Sequence, residues 1–217
     1  MKKNNNIKII IFDFDGVIIN SHSIKSKVFC ELYKSHGLEI VNKIKKYQLI
    51  NGGVNRFKKF KFFHEKFLKE KLTKKVKLEL NKKFNLQYLS KLKKIKISKN
   101  LLNFLKNSSS YNLYISSAAP RKEIFYILKK FKLKKYFKKV YSSNQPKEKH
   151  IEQIKKKEKM ENSNYLFIGD MISDFNVAEK LKISFIHFNK YNRNKIKKVK
   201  FWISDFGKLK KAIDKFD

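Results

Sequence analysis

A chain of 217 residues with 41% hydrophobic side chains has the length for one α/β core and a smaller inserted module, and 20 Phe against one Trp make that core phenylalanine-rich. Its net charge of +36 is spread along the chain as lysine, in step with abundant Asn, Ile and Phe (all with A/T-rich codons), so nucleic acid is not expected as the primary partner, although anionic substrates would be attracted. A lone Cys30 excludes an intrachain disulfide, scattered histidines (His22, His36, His64, His150, His187) give no paired ligand motif, and no segment reads as a signal peptide or membrane span; the expectation is a cytoplasmic, soluble protein.

In chain order, the first apolar run, Ile7–Phe12, reads as a strand and ends in Asp13-Phe14-Asp15-Gly16-Val17. Two carboxylates flanking one residue repel each other unless a cation lies between them. Hard oxygen ligands beyond the carboxyl end of a strand suit magnesium, which takes few carboxylates and keeps waters and substrate phosphate.

From about Ser21 to about Lys96 the pattern is helical. Ile24, Val28, Leu32 and Tyr33 line one helix, with Gly37 as its left-handed cap. Ile40, Val41, Ile44 and Tyr47 line a second, stopped at Asn51-Gly52-Gly53, and Phe57, Phe60, Phe63, Phe67 and Leu68 line a third. The run Arg56-Phe57-Lys58-Lys59-Phe60-Lys61-Phe62-Phe63 interleaves basic and aromatic residues, as a platform for single-stranded nucleic acid would. Yet Phe57, Phe60, Phe63 and Phe67 fall on one helical face, which is the pattern of a core.

Strands resume at Asn112–Ser116, followed by Ser117-Ala118-Ala119-Pro120 and a helix with Ile124, Ile127, Leu128 and Phe131 on one face. A hydroxyl among small residues at a helix start suits phosphate oxygens, and the same residues also read as a plain Ser N-cap with Pro in the first turn. Lys139–Ser142 is the next strand, and Ser143-Asn144-Gln145-Pro146-Lys147 leads into a weakly patterned helix with Ile151, Ile154 and Met160. Lys147 at a helix start is poorly placed for the dipole, which points to a compensating anion.

Tyr165–Ile168 ends in Gly169-Asp170-Met171-Ile172-Ser173-Asp174, a second acidic strand end. Four of the seven aspartates lie in these two loops; singly each reads as a turn or cap residue, jointly they read as a site. Ser184–Phe188, a short edge strand near Phe201–Ile203 and a closing helix near Leu209–Phe216 complete the chain. Strand–helix alternation predicts an α/β fold with a Rossmann-like parallel sheet core, residues 1–20 and 97–217, interrupted by an inserted helical domain, residues 21–96.

These four loops, in order, resemble the four motifs of the haloacid dehalogenase (HAD) superfamily, and the resemblance covers nearly the whole chain. It implies Asp13 as nucleophile and Asp15 as general acid/base. It implies Ser117 and Ala118 as phosphate-binding, with Ser116 the neighbouring register, and Lys147 rather than Lys149 as the third-motif lysine. Asp170 and Asp174 would hold Mg²⁺ with Asp13 and with Asp15, the last through its backbone carbonyl.

The helical insert resembles the family's C1 cap. Gly52-Gly53-Val54-Asn55-Arg56-Phe57-Lys58-Lys59-Phe60 is similar to a segment of phosphoglycolate-phosphatase-like members, which brings Arg56 forward as a substrate residue. The implied activity is Mg²⁺-dependent hydrolysis of a small phosphorylated metabolite, a phosphate monoester, through an aspartyl-phosphate. Phosphomutases share these acids; dehalogenases typically lack the second one.

Overall fold

The computed structural model describes residues 6–190, 196 and 198–216. Its elements begin with β1 Ile9–Phe12, α1 His22–Leu32, α2 Leu38–Ile50, α3 Arg56–Phe62, α4 Lys74–Leu92 and α5 Lys99–Lys106. They continue with β2 Asn112–Ser116, α6 Arg121–Lys130, β3 Lys139–Tyr141, α7 Lys147–Glu158, β4 Tyr165–Gly169, α8 Ile172–Lys180, β5 Ser184–Phe188, β6 Trp202–Ile203 and α9 Leu209–Ile213. Two compact units result: Met1–Ile19 with Lys96–Asp217, and Asn20–Ile95.

The first unit is a Rossmann-like α/β structure. Its six strands are all parallel, in the order β3-β2-β1-β4-β5-β6. Chain order therefore runs outward from β1 to one edge, then restarts at β4 and runs to the other. Ligands of doubly wound sheets bind at such reversals, beyond the carboxyl ends of the strands. Ile9, Ile10, Ile11 and Phe12 are all buried, as expected for a central parallel strand covered on both faces.

The two faces separate by the two-residue period of the strands. Ile9, Ile11, Tyr114, Tyr165, Phe167 and Phe185 pack with Ile151 and Ile154 of α7 and Ala178 of α8. Phe12 points the other way, its ring meeting Phe104 of α5, Phe137 and Phe206 at 6.0–6.2 Å.

The second unit is helical. Phe29 of α1 meets Phe84 of α4 at 4.8 Å and Phe60 of α3 at 5.6 Å. After α3 the helix widens into a π-helical stretch, Phe63–Leu68, within which Phe63 and Phe67 stack at 5.6 Å. Phe60 and Phe63 are fully buried and Phe57 half-buried, so the basic–aromatic run of α3 builds a core, not an exposed stacking surface.

Several local expectations need correction. Gly37 does not cap α1. That helix ends at Tyr33, a short 3₁₀ turn Lys34–His36 follows, and Gly37, at φ 90° and ψ 164°, opens α2 from a backbone region that glycine enters without strain. Helix α4 had no sequence signal because its buried Phe84, Tyr88 and Leu92 share the helix with exposed Leu78 and Leu86, which blurs the apolar stripe. Helix α7 stops before Met160, since Lys159 turns left-handed at φ 50°, and α9 stops at Ile213, short of Phe216. Among the described residues no helix is long and apolar enough to cross a membrane.

The aromatic cluster should dominate the stability of the helical unit. Phe63→Ala is expected to destabilise it by about 3–5 kcal/mol, the usual cost of an emptied aromatic core position, whereas Leu78→Ala, at a side chain 59% exposed, should shift stability by under about 0.5 kcal/mol. Urea unfolding followed by circular dichroism measures both.

Candidate active site

The site grows from the end of β1. Asp13 carries the ladder one residue further, its N–H donating to the Ile168 carbonyl at 2.8 Å. The same two-residue period that sends Ile9 and Ile11 toward α7 sends the Asp13 side chain there too. Gly16, at φ 91°, permits the tight turn that follows, in which its N–H donates to the Ile19 carbonyl at 2.7 Å and Asp15 bridges to Ile19. That turn fixes the Asp15 backbone while leaving the residue partly exposed.

The end of β4 supplies two more carboxylates. One oxygen from each of Asp13, Asp170 and Asp174 lies within 4.8 Å of the other two. Asp174, fully buried in the first turn of α8, accepts the Met171 N–H at 3.3 Å through Oδ2. An acid in that turn also suits the helix dipole, so Asp174 is both a cap and a member of the cluster.

Two further residues, Gly169 and His187, serve the cluster. A Cβ on Gly169 would sit 2.4 Å from the Asp174 Cβ and 2.6 Å from its Oδ2, so only glycine lets Asp174 approach. Its signal was present in the glycine immediately before the acidic cluster. Buried His187, level with Gly169 on β5, donates from Nε2 to the Asp170 carbonyl at 3.3 Å and steadies that loop. No local pattern marks His187, because only strand pairing brings it there.

Lys147 is the first residue of α7, after Pro146. Its ammonium lies 2.7 Å from Asp13 and 2.6 Å from Asp174, and these carboxylates offset the poor fit of a cation to a helix N-terminus. Burial alone would pull Lys147 down, but the charges of Asp13 and Asp174 and their hydrogen bonds outweigh it and hold the ammonium charged. Lys149 points elsewhere, pairing with Glu152 at an exposed position.

Ser116 and Ser117 part company. Ser116 ends β2 and its hydroxyl is hydrogen-bonded to His150 Nδ1 at 3.0 Å inside the molecule. Ser117 lies past the strand; its Oγ accepts the Ala119 N–H at 3.0 Å, and its own N–H donates to the Tyr141 carbonyl. Ala118 is half-buried between Ser117 and Ala119. Pro120, not a serine, caps α6. Arg56 belongs to the helical unit, where its guanidinium donates to the side-chain oxygens of Asn81 and Asn85 and lies 3.9 Å over the Phe84 ring.

Three carboxylates cluster here, and Lys147 pairs with two of them, Asp13 and Asp174. Burial is the largest influence on Asp13 and Asp174 and pushes both upward; Lys147 opposes it, while the neighbouring acids add to the rise. Negative charge is concentrated at this site. Its donor set, all carboxylate oxygen, fits a hard divalent cation rather than a soft one.

A doubly wound parallel sheet with this acid–lysine cluster at its reversal belongs to the class of α/β proteins whose ligand sites lie beyond the carboxyl ends of the strands. The haloacid dehalogenase-like hydrolase family model matches residues 10–188, and the chain belongs to that family. Among solved structures, a predicted phosphoglycolate phosphatase from Haemophilus somnus superposes with a TM-score of 0.77 at 18% identity, covering 95% of this chain and 97% of that one. A β-phosphoglucomutase from Clostridium difficile reaches a TM-score of 0.79 at 17% identity, with 97% and 98% covered. A haloacid dehalogenase-like family hydrolase from Streptococcus pneumoniae reaches 0.71 at 17% identity, with 96% and 99% covered. At these identities the likeness establishes the fold. No curated protein sequence matches the chain significantly.

A buried carboxylate with a raised pKa stabilises the folded chain while protonated, and that contribution is lost as pH rises through the raised value. A cation binds where those protons leave. With Mg²⁺ as the probe cation, an increase in Tm is expected to grow as pH rises through the raised carboxyl range and to vanish with EDTA, as followed by scanning fluorimetry. With Mg²⁺ as the probe cation, titration calorimetry is expected to show at least ~10-fold weaker binding in Gly169→Ala, because Asp174 must move to admit the methyl group.

Proposed function

We propose that this protein is a Mg²⁺-dependent phosphatase that hydrolyses a small cytoplasmic phosphate monoester through an aspartyl-phosphate on Asp13. The observation that carries this reading is the convergence of Asp13, Asp170, Asp174 and Lys147 at the sheet reversal. Phosphoryl transfer needs an in-line nucleophile and neutralised equatorial oxygens more than any other covalent help, and this cluster is equipped for both.

In this reading one Asp13 carboxylate oxygen attacks phosphorus while the bond to the ester oxygen breaks. The Asp15 side chain gives its proton to that leaving oxygen, then takes one from the water that attacks the aspartyl-phosphate and regenerates Asp13. Lys147 and the backbone N–H groups near Ser117 and Ala118 hold the phosphoryl oxygens. The Ser116 hydroxyl, occupied by His150, is the weaker candidate of the two serines. Mg²⁺, held by Asp13, Asp170 and the Asp15 carbonyl with Asp174 in support, would cancel the repulsion between carboxylate and phosphate.

The helical unit, Asn20–Ile95, is in this reading the substrate-selecting cap. Arg56 is the candidate substrate residue of that cap in this reading; its buried guanidinium is held by Asn81, Asn85 and the Phe84 ring. Retention of Asp15 favours phosphate over halide chemistry, because an alkoxide needs a proton to leave and a halide does not. A phosphomutase would use the same acids, and the β-phosphoglucomutase among the structural neighbours keeps that alternative in view. Product analysis separates the two: released inorganic phosphate marks hydrolysis, and a phosphoryl group returned to sugar marks a mutase.

With p-nitrophenyl phosphate and Mg²⁺, Asp13→Asn is expected to lower kcat by at least ~10⁴-fold without altering the fold. Full Mg²⁺-dependent activity in that variant would sink the assignment of the nucleophile. Asp15→Asn should lower kcat by ~10²–10⁴-fold while Mg²⁺ affinity stays within about twofold. Equal losses in both would make the Asp15 side chain a metal ligand instead.

A further inference from the structure

We propose that His150 is a positioning residue, whose imidazole ties the Ser116–Ala118 loop to the helix that carries Lys147 and so sets the two parts of the phosphate site relative to each other. This rests on the reading above, in which that loop and Lys147 hold the phosphoryl oxygens.

His150 sits one turn after Lys147 on α7, its N–H donating to the Pro146 carbonyl at 3.3 Å. The side chain is interior, 2% exposed, and Nδ1 lies 3.0 Å from the hydroxyl of Ser116, which is wholly buried. Tyr141 of β3 flanks the ring at 5.3 Å. Two polar groups this deeply buried each need a partner, and here they satisfy one another.

The loop itself is tied to β3. Ser117 N–H donates to the Tyr141 carbonyl at 3.2 Å, and Ser143 N–H donates to the Ala119 carbonyl at 3.0 Å. Those bonds fix the loop within the sheet layer. The Ser116–His150 bond adds a tie from the loop to α7, the element that aims Lys147 at Asp13 and Asp174. Burial pulls His150 down to about 4, a hydrogen bond with the Ser142 backbone opposing and the Lys147 charge assisting, so the ring is neutral where the site works. A neutral ring keeps one acceptor nitrogen and adds no second cation beside Lys147.

A histidine that merely filled the core would affect stability alone, so the test reads the loop and the site. Wild type, His150→Leu, His150→Asn, Ser116→Ala and the double variant His150→Leu/Ser116→Ala would be assayed with p-nitrophenyl phosphate and Mg²⁺. Inorganic phosphate would serve as inhibitor, and amide exchange would be followed at Ser117 and Ala119. His150→Leu should raise KM and the phosphate inhibition constant about tenfold with a smaller change in kcat, the scale of one lost hydrogen bond, and speed exchange at both amides.

Asparagine at position 150 can again meet the Ser116 hydroxyl, so His150→Asn should recover most of the loss. Ser116→Ala should match His150→Leu, and the double variant should be no worse than either single one. A phosphate inhibition constant and exchange rates within about twofold of wild type in Ser116→Ala would overturn the proposal, even where His150→Leu failed to fold. Losses that multiply in the double variant would do the same. A wild-type protein without turnover, whose loop exchange still responds to His150, would fail the phosphatase reading alone.

Discussion

The arrangement of the sheet unit depends on one electrostatic constraint: Asp13 and Asp174 are both buried, and the ammonium of Lys147 pairs with each. Carboxylates taken out of water lose hydration worth several kcal/mol each, so they persist there only with charge and hydrogen bonds to replace it. Lys147 supplies part of that replacement. Asp170 joins the cluster, and these carboxylate oxygens are the donors that a divalent cation would meet.

The parallel sheet is the device that enforces this crowding. Asp13 and Asp170 lie far apart in the chain, but β1 and β4 are neighbours in register, Phe12 beside Ile168, so the residues just beyond them emerge side by side. Helices α7 and α8 then bring Lys147 and Asp174 in through their first turns. Gly169 and Gly16 make the fit possible in different ways, one by having no Cβ at a point of contact and the other by accepting a positive φ.

The helical unit answers to a different force. Phenylalanines from α1, α3 and α4 and from the π-helical stretch close a core around Phe29 and Phe63, where burial and edge-on ring contacts provide the stability. Lysines cover the outside, but Lys59 is buried in that interior, its ammonium hydrogen-bonded to Gln48 and to the Gly52 carbonyl. With Arg56 one turn earlier, α3 holds two buried cations, each hydrogen-bonded within the helical unit.

Much of this was legible before any coordinates, because the relevant information is local. Short, mostly apolar runs identify β1, β2, β4 and β5, since a strand buried on both faces admits a polar side chain only where a partner meets it, as at Ser116 and His187. Acids just after such runs mark the site, because that is where a parallel sheet presents its ligands. Helix α4 escaped notice because exposed leucines interrupt its stripe, and the reach of α3 into a π-helical turn is a packing outcome with no residue code.

The amino-acid sequence by itself determined the strand set, the α/β class and the acidic strand ends, all of them consequences of side-chain type and spacing along a few residues. Tertiary structure alone decided that the Lys147 ammonium meets both Asp13 and Asp174, that Ser116 turns inward to His150, and that Gly169 and His187 serve the acidic loop. Those outcomes depend on which strands pair and which helix faces pack, and such contacts join residues that share no local pattern.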